Sequence, residues 1–342
     1  MNLGKVLYFV CMILGVWSDT ECPNVVSTED RRQNKTVVRL VQYNIEWMFL
    51  DYYEASNCPG DGCTWKNETE VNIHMDHVVK VVQELNPDII NFCEIEGCDE
   101  LNKMREILGD DTYMPYLKKG KDTATGQNVG MLTRIDPITS LYRTEEKYDY
   151  PIKDSKCGYK GNVSSTGVSK HYITEFEMGD FKVGFISAHL LALPTDEARC
   201  AEREGQAMVL QKVIYEYVEK GYEVIMLGDL NDYDGEVLDI NSNEPRSRVL
   251  EILKGKDGDF ANEYILYSVG EKISQEERYS DWWDSDNNCK TSSIKDYSVI
   301  DHILTTKNIQ DRIVQAFMYH GYEEYCGKYD SDHYPVVVDI EF

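Results

Sequence analysis

The stretch LGDLNDYDGEV, residues 227–237, decides how the rest of this chain is interpreted. It overlaps the end of the apolar segment YEVIMLGD, residues 222–229, which predicts a buried strand. The strand stops abruptly at Asp229 and Asn231. An aspartate at a strand end usually caps a turn, so this stretch becomes informative only if other strands end in the same way.

Other predicted strands do end in, or begin beside, side chains that can bind a metal ion or carry a proton. With the two residues above, these side chains are, in chain order, Asn44, Glu46, Glu94, His189, Asp229, Asn231, Asp301, Asp332 and His333. Polar residues at strand ends on one edge of a sheet converge on a cleft. We therefore expect one site built from distant parts of the chain.

Strands and helices are interspersed along the sequence. We predict strands over residues 37–45, 88–94, 128–134, 222–229, 299–306 and 335–342, and a strand hairpin over 171–189. We predict helices over residues 69–86, 98–108 and 196–221. A hairpin requires antiparallel pairing, and amphipathic helices need a sheet face to cover. The pattern predicts an α/β (α+β) fold in which two mixed, mostly antiparallel β-sheets pack face to face with helices outside.

The chain begins like an exported protein. Lys5 precedes the apolar run VLYFVCMILGVW, so residues 1–18 are predicted to be a signal peptide. That run is too short for a bilayer, which takes about 20 residues. We expect a secreted, extracellular chain that passes through the ER and has no transmembrane segment, with an N-terminal extension over 19–36 and one domain over 37–342.

Export changes the interpretation of the cysteines. Cys11 lies in the predicted signal peptide, and the other nine of the 10 cysteines predict disulfides, with at least one thiol left over because nine is odd. The C-x4-C segments at 58–63 and 93–98 leave zinc as an alternative, although structural zinc usually uses tighter spacings. Asn34, Asn67 and Asn162 lie in sequons that predict N-glycosylation.

The net charge of −26 limits the possible partners. Dedicated nucleic-acid binders are normally basic, because phosphate contacts dominate their affinity. An acidic chain needs a local basic group or a bound cation to hold a phosphate. Arg134 is a candidate phosphate clamp, with pairing to an acid as an equal alternative. Trp282 and Trp283 are interpreted first as a packing anchor, and otherwise as a platform for a base or a lipid surface.

Taken in order, the segments VQYNIE, DIINFCE, ISAH, LGDLND, VIDHIL and DSDHYPV resemble the endonuclease/exonuclease/phosphatase superfamily, whose members include deoxyribonuclease I. The resemblance runs from Val38 to Phe342. It implies a four-layer α/β sandwich that cleaves phosphate esters with Mg²⁺, or with Ca²⁺ or Mn²⁺. Carboxylate oxygens suit such hard cations.

The resemblance also implies a role for each residue. Asp229 and Asn231 would orient the attacking water and bind the scissile phosphate, and His189 would be the general acid. The metal ligands would be Asn44, Glu46, Glu94 and Asp332, while His333, paired with Asp301, would be a base or a phosphate ligand.

The sequence departs from the family at three places. Gln127 and Asn128 occupy the position where the deoxyribonuclease I branch has a Glu that partners the acid histidine. Cys93 replaces a frequent Gln, and His302 follows Asp301 where Arg is usual.

We therefore expect a secreted, divalent-metal-dependent phosphodiesterase, an endo- or exonuclease that binds nucleic acid transiently as a monomer. A sphingomyelinase-like phospholipase C with peripheral lipid contact is the alternative enzyme. A catalytically silent secreted binding protein is the alternative from another class.

Overall fold

The computed structural model describes residues 21–50, 63–284, 288, 294–322 and 328–342. The predicted signal peptide, Cys58, Cys289 and Cys326 lie outside the described residues. Among the helices that are described, none combines the length and the apolar character that a membrane span requires.

The strands and helices alternate much as predicted, with additional short strands. The strands are β1 (Val37–Met48), β2 (Ile89–Ile95), β3 (Met114–Leu117), β4 (Asn128–Thr133), β5 (Tyr148–Tyr150), β6 (Ser164–Thr166), β7 (Lys170–Met178), β8 (Phe181–His189), β9 (Glu223–Asp229), β10 (Leu266–Ser268), β11 (Asp281–Trp282), β12 (Tyr297–Ser298), β13 (Asp301–Thr306), β14 (Ile313–Met318) and β15 (Val336–Glu341). The helices are α1 (Glu68–Leu85), α2 (Cys98–Leu108), α3 (Glu197–Glu219), α4 (Val249–Leu253) and α5 (Lys307–Gln310).

Two large sheets form the body of the molecule. Sheet A has the order β14-β15-β1-β2-β4-β3, and sheet B has the order β10-β13-β9-β8-β7. In sheet A only β1 and β2 pair in parallel, and in sheet B only β8 and β9 do. The prediction of two mixed, mostly antiparallel sheets is confirmed.

Side-chain alternation along the strands produces the four layers. In β9, Ile225 and Leu227 lie in the core between the sheets, whereas Met226 packs with residues of α3 and α4. In β1, Leu40 faces the core between the sheets and Val41 packs with residues of α1 and α2. Each of these side chains is fully buried or nearly so, which stabilises the fold by roughly 1.5–3 kcal/mol per large apolar residue.

The same alternation aims two site residues into the gap between the sheets. Asp229 follows Leu227 by two positions, and Asn44 follows Leu40 by four, so each shares the inward face of its strand. Asp229 is the last residue of β9, and Asn44 is the last residue of β1 before its register with β2 shifts. The cleft therefore forms at one end of the sandwich, where the apolar core stops.

Disulfides attach the N-terminal segment and a surface loop to this body. Cys22 bonds to Cys98 at the start of α2, and Cys157 bonds to Cys200 on α3. Cys93, in the middle of sheet A, is a free and buried thiol. The C-x4-C segment at 93–98 is therefore neither a disulfide loop nor a zinc knuckle, because its second cysteine pairs with Cys22.

Candidate active site

Sheet B supplies an acidic pair through regular strand register. Asp229 at the end of β9 lies directly opposite Asp301 at the start of β13. The backbone N–H of Asn231 donates to Asp229 Oδ1 at 3.0 Å, and this hydrogen bond helps to orient the carboxylate. Asn231 adopts a left-handed φ of 51°, a conformation that Asn tolerates better than most residues.

His333 is oriented by Asp301. Its Nδ1 lies 2.7 Å from Asp301 Oδ2, and the other Asp301 oxygen accepts a hydrogen bond from Gln42 at 3.1 Å. Burial alone would lower the pKa of His333, but the charge and hydrogen bond of Asp301 raise it well above its usual value. The ring is therefore held as an imidazolium, with Nε2 turned towards the cleft.

A buried polar chain supports this pair from the core. Gln42 accepts a hydrogen bond from Asn91 at 2.6 Å, and Asn91 accepts one from the hydroxyl of Tyr172 at 2.7 Å. All three side chains are buried in the core. Because these buried side chains bond to one another, this row of hydrogen bonds can hold Asp301 in place without leaving an unpaired polar group among them.

His189, at the end of β8, lies among the carboxylates. Its Nε2 is 3.4 Å from Asp229 Oδ2 and 3.9 Å from Glu94 Oε1. Burial lowers the pKa of His189 well below its usual value, and the charges of Lys170 and His333 lower it further. Its Nδ1 is buried without a hydrogen-bond partner among the described residues.

The sheet A side of the cleft is built from irregular backbone. Glu46, Trp47 and Glu94 have left-handed φ values of 47°, 53° and 65°, and the strand register shifts at both places. Strict alternation would turn Glu94 outward with Phe92. The bulge turns it towards the cleft instead, where its Oε2 accepts from the backbone N–H of Trp47 at 3.1 Å.

Contacts link the two halves of the cleft. Asn44 on β1 donates through Nδ2 to Asp229 Oδ2 on β9 at 2.9 Å, which joins the two sheets. Within the sheet A side, the backbone N–H of Asp332 donates to Glu46 Oε2 at 3.2 Å. The structure thus brings together all nine predicted catalytic and metal-binding residues, from Asn44 to His333.

The electrostatics of the cleft favour a cation. Burial raises the pKa of Asp229 to about 7, with Asp301 and Glu94 adding to the shift. Burial and the charge of Glu46 raise the pKa of Asp332 well above its usual value. The donors are oxygen atoms, which suit Mg²⁺ or Ca²⁺. Among the described residues, no three acidic, His or Cys side chains converge on one coordination point. The fit to an ion therefore rests on the donor types and the charge of the cleft.

Arg134 does not reach this cleft. Its backbone N–H donates to Asp88 O and its guanidinium to Pro87 O and Asp110, beside the start of β2. Glu94 lies at the opposite end of β2, about 20 Å away at 3.3 Å per residue. Arg134 pairs with an acid there, the alternative that its sequence context left open.

Two residues of the cleft were missed in the sequence. Asp281 on β11 forms an isolated backbone bridge with His333, and its Oδ1 lies 3.7 Å from His333 Nε2. Burial raises the pKa of Asp281 to about 6. It lies in a stretch that looks like a surface insertion, and no pattern in the sequence marks it.

Lys170 is the second missed residue. It pairs directly with His189 across the β7–β8 hairpin, and its Nζ donates to Gln127 Oε1 at 3.0 Å. Gln127, which replaces the expected Glu, therefore bonds to a lysine instead of the histidine. Lys170 is the register partner of His189 because the hairpin turns at Gly179 and Asp180, with Met178 opposite Phe181.

Comparison with known proteins supports the same fold. The sequence profile of the Endonuclease/Exonuclease/phosphatase family matches residues 42–333. A family protein from Bacteroides vulgatus is similar in structure, with a TM-score of 0.54, 16% identity, and coverage of 90% of this chain and 99% of that chain. A humanized TDP2 from D. rerio has a TM-score of 0.51, 15% identity, and coverage of 90% and 99%. At these identities the likeness concerns the fold alone, and no curated protein matches by sequence.

Proposed function

The chain belongs to the endonuclease/exonuclease/phosphatase family, and we propose that it is an exported, divalent-metal-dependent nuclease that hydrolyses nucleic-acid phosphodiesters with water. Members of this family are generally hydrolases of phosphoesters and typically use divalent metals. The observation that carries the proposal is the convergence of Asn44, Glu94, Asp229 and the Asp301–His333 pair in one cleft.

Glu46, Glu94, Asp332 and Asn44 are the side chains that would hold the ion. When bound, the ion would neutralise charge on the phosphoryl oxygens and on these carboxylates. It would thereby reconcile an acidic cleft with an anionic substrate.

In this proposal, Asp229 would accept a proton from the attacking water. Its Oδ1 accepts from the Asn231 backbone and its Oδ2 from Asn44, so the carboxylate is oriented at both oxygens, and its pKa of about 7 suits a general base. The Asn231 side-chain amide can give a hydrogen bond to the phosphate without adding negative charge, after leaving its present acceptor, Leu190 O.

His333 supports a role as a phosphate ligand better than a role as a base. Its Nδ1–H is directed at Asp301 and its raised pKa keeps Nε2 protonated, so Nε2–H can donate to a phosphoryl oxygen. Burial and the nearby charges lower the pKa of His189, so its ring is neutral. As a donor to the leaving oxygen it would act together with Lys170, its neighbour on β7.

Export is part of the proposal. The Cys22–Cys98 and Cys157–Cys200 disulfides are typical of an oxidising compartment. The asparagines of all three sequons are exposed, which fits N-glycosylation.

A phospholipase C activity on sphingomyelin is the second candidate, because apolar side chains are exposed beside the cleft. Trp283 is 69% exposed two residues after Asp281, and Leu193 is 57% exposed four residues after His189. Trp282, in contrast, is buried. An exposed tryptophan can stack on a base or enter a lipid surface.

A panel assay separates these candidates. Plasmid DNA, RNA, sphingomyelin vesicles and inositol phosphates would each be incubated with the purified chain, with Mg²⁺ or with a chelator. Nucleic-acid cleavage that the chelator abolishes supports the proposal. Cleavage of sphingomyelin alone favours the second candidate, chelator-resistant cleavage contradicts metal dependence, and no hydrolysis in any arm favours a silent binding protein.

A further inference from the structure

The irregular end of β1 leaves backbone carbonyls that the sheet does not satisfy. Where Glu46 and Trp47 turn left-handed, the register with β2 breaks between Asn44 and Met48. Two side chains from outside the sheet bind the carbonyls at this break. Trp65 Nε1 donates to Glu46 O at 2.8 Å, and His74 Nε2 lies 2.6 Å from Ile45 O.

His74 also contacts the other segment that carries a proposed metal ligand. Its Nδ1 lies 2.8 Å from Tyr329 O, three residues before Asp332. His74 thus lies between the backbone next to Glu46 and the backbone leading to Asp332. Those two residues are themselves in contact, through the Asp332 N–H and Glu46 Oε2 at 3.2 Å.

Aromatic stacking holds the two rings in place. Trp65 stacks on His74 with ring centroids 4.3 Å apart, and on Tyr329 at 5.7 Å. His74 is 0% exposed and Trp65 is 6% exposed. The N-cap of α1 also helps to position His74. The Asn67 side chain accepts a hydrogen bond from Glu70 N and so fixes where α1 begins, two turns before His74.

Core packing alone does not account for this arrangement. A buried imidazole costs desolvation unless its nitrogens are bonded, and both nitrogens here meet carbonyl oxygens on different segments. A neutral imidazole carries one N–H, so His74 donates to one carbonyl at a time, and to both only when protonated.

We infer that Trp65 and His74 are positioning residues that set the geometry of the proposed divalent-cation site, by bracing the Glu46 bulge and the segment that leads to Asp332. The inference rests on the proposed function, since it assumes that an ion binds these carboxylates. Outer groups that orient metal ligands typically contribute 10- to 100-fold to metal affinity.

The test is a direct measurement of Mn²⁺ binding to the metal-free full chain, by electron paramagnetic resonance and by calorimetry. Trp65→Phe keeps the ring and removes the N–H, and His74→Leu removes both nitrogens. We expect each to weaken Mn²⁺ binding by about 10- to 100-fold. His74→Gln keeps a donor near Ile45 and His74→Asn keeps one near Tyr329, so each should recover part of the loss.

A matched control is His171→Asn. His171 is also buried and bonded through both nitrogens to backbone, at Val168 O and Thr144 N, but it touches neither Glu46 nor Asp332. It should lower the melting temperature without changing Mn²⁺ affinity. If His74→Leu fails to fold, Trp65→Phe still decides the question.

The outcomes separate the two claims. Wild-type affinity in folded Trp65→Phe and His74 variants overturns the positioning role and leaves the proposed function intact. A wild-type chain that binds no Mn²⁺ overturns the proposed function, and the positioning role with it.

Discussion

The two sheets form their halves of the cleft by different means. In sheet B, Asp229 and Asp301 are register partners at regular strand ends. In sheet A, Glu46 and Glu94 reach the cleft only because the backbone leaves the regular strand conformation. Left-handed conformations at such residues cost about 1–3 kcal/mol each. Sheet B therefore places its acids through the regular ladder, while sheet A depends on groups outside the sheet to hold a strained shape.

The sheet B half should give the largest effect on activity. Asp229→Asn removes the proposed base but keeps an isosteric side chain, so we expect turnover to fall by at least 10²- to 10⁴-fold. Steady-state kinetics with the substrate from the panel assay, together with circular dichroism, would measure it. Asp339→Asn is the matched control, because Asp339 pairs with Arg39 away from the cleft. Turnover like that of the wild type in Asp229→Asn would refute the assignment.

A substitution in the sheet A half should lower activity in a way that added Mg²⁺ partly restores. Glu46→Gln weakens the proposed ion site but leaves Asp229 and His333 intact, so activity should fall at low Mg²⁺ and recover partly at high Mg²⁺. We expect the half-saturating Mg²⁺ concentration to rise by more than about 10-fold. Asp229→Asn should show no such recovery. If both variants respond alike to Mg²⁺, the functional difference between the halves is lost.

A smaller effect is expected at Lys170, which stands beside His189. Lys170→Met keeps the length of the side chain and removes its charge, so KM for a phosphodiester should rise by roughly 10-fold, about the effect of one charge-assisted hydrogen bond. Initial rates at several ionic strengths would test this. Lys121→Met, at an exposed lysine paired with Glu145, should leave KM unchanged. An unchanged KM in Lys170→Met would place Lys170 outside substrate binding.

The smallest effect on activity belongs to Arg134→Ala, at the far end of sheet A. Arg134 bonds to Pro87 O and Asp110 and stacks over Tyr113 at 4.2 Å. Its loss should lower the free energy of unfolding by about 1–3 kcal/mol and leave turnover unchanged, as chemical denaturation and kinetics would show. A fall in turnover without a fall in stability would mean that the substrate extends to that end.

The contrast between the sheets also explains what could be predicted from sequence. Strand ends and two-residue alternation identify Asp229 and Asn44 and aim them correctly. Alternation cannot foresee the bulge that turns Glu94 inward. The end of the predicted strand over 88–94 marks Glu94 as a candidate, but its role as a metal ligand was predicted only through family resemblance.

The remaining misses have equally specific causes. Arg134 ends a correctly predicted strand, but the direction in which β4 pairs with β2 decides which end of the sheet it occupies. Asp281 reaches His333 through a bridge between segments 52 residues apart in the numbering. Pairings at that range leave no periodic trace in a single sequence.

The unpaired thiol of Cys93 has a consequence for folding. Its sulfur accepts a hydrogen bond from Gln42 at 3.4 Å, and burial strongly raises its pKa. A thiol with so little thiolate cannot attack a neighbouring disulfide. Once sheet A has closed, the Cys93 thiol is chemically silent, and it can take part in scrambling of the Cys22–Cys98 and Cys157–Cys200 bridges only before closure.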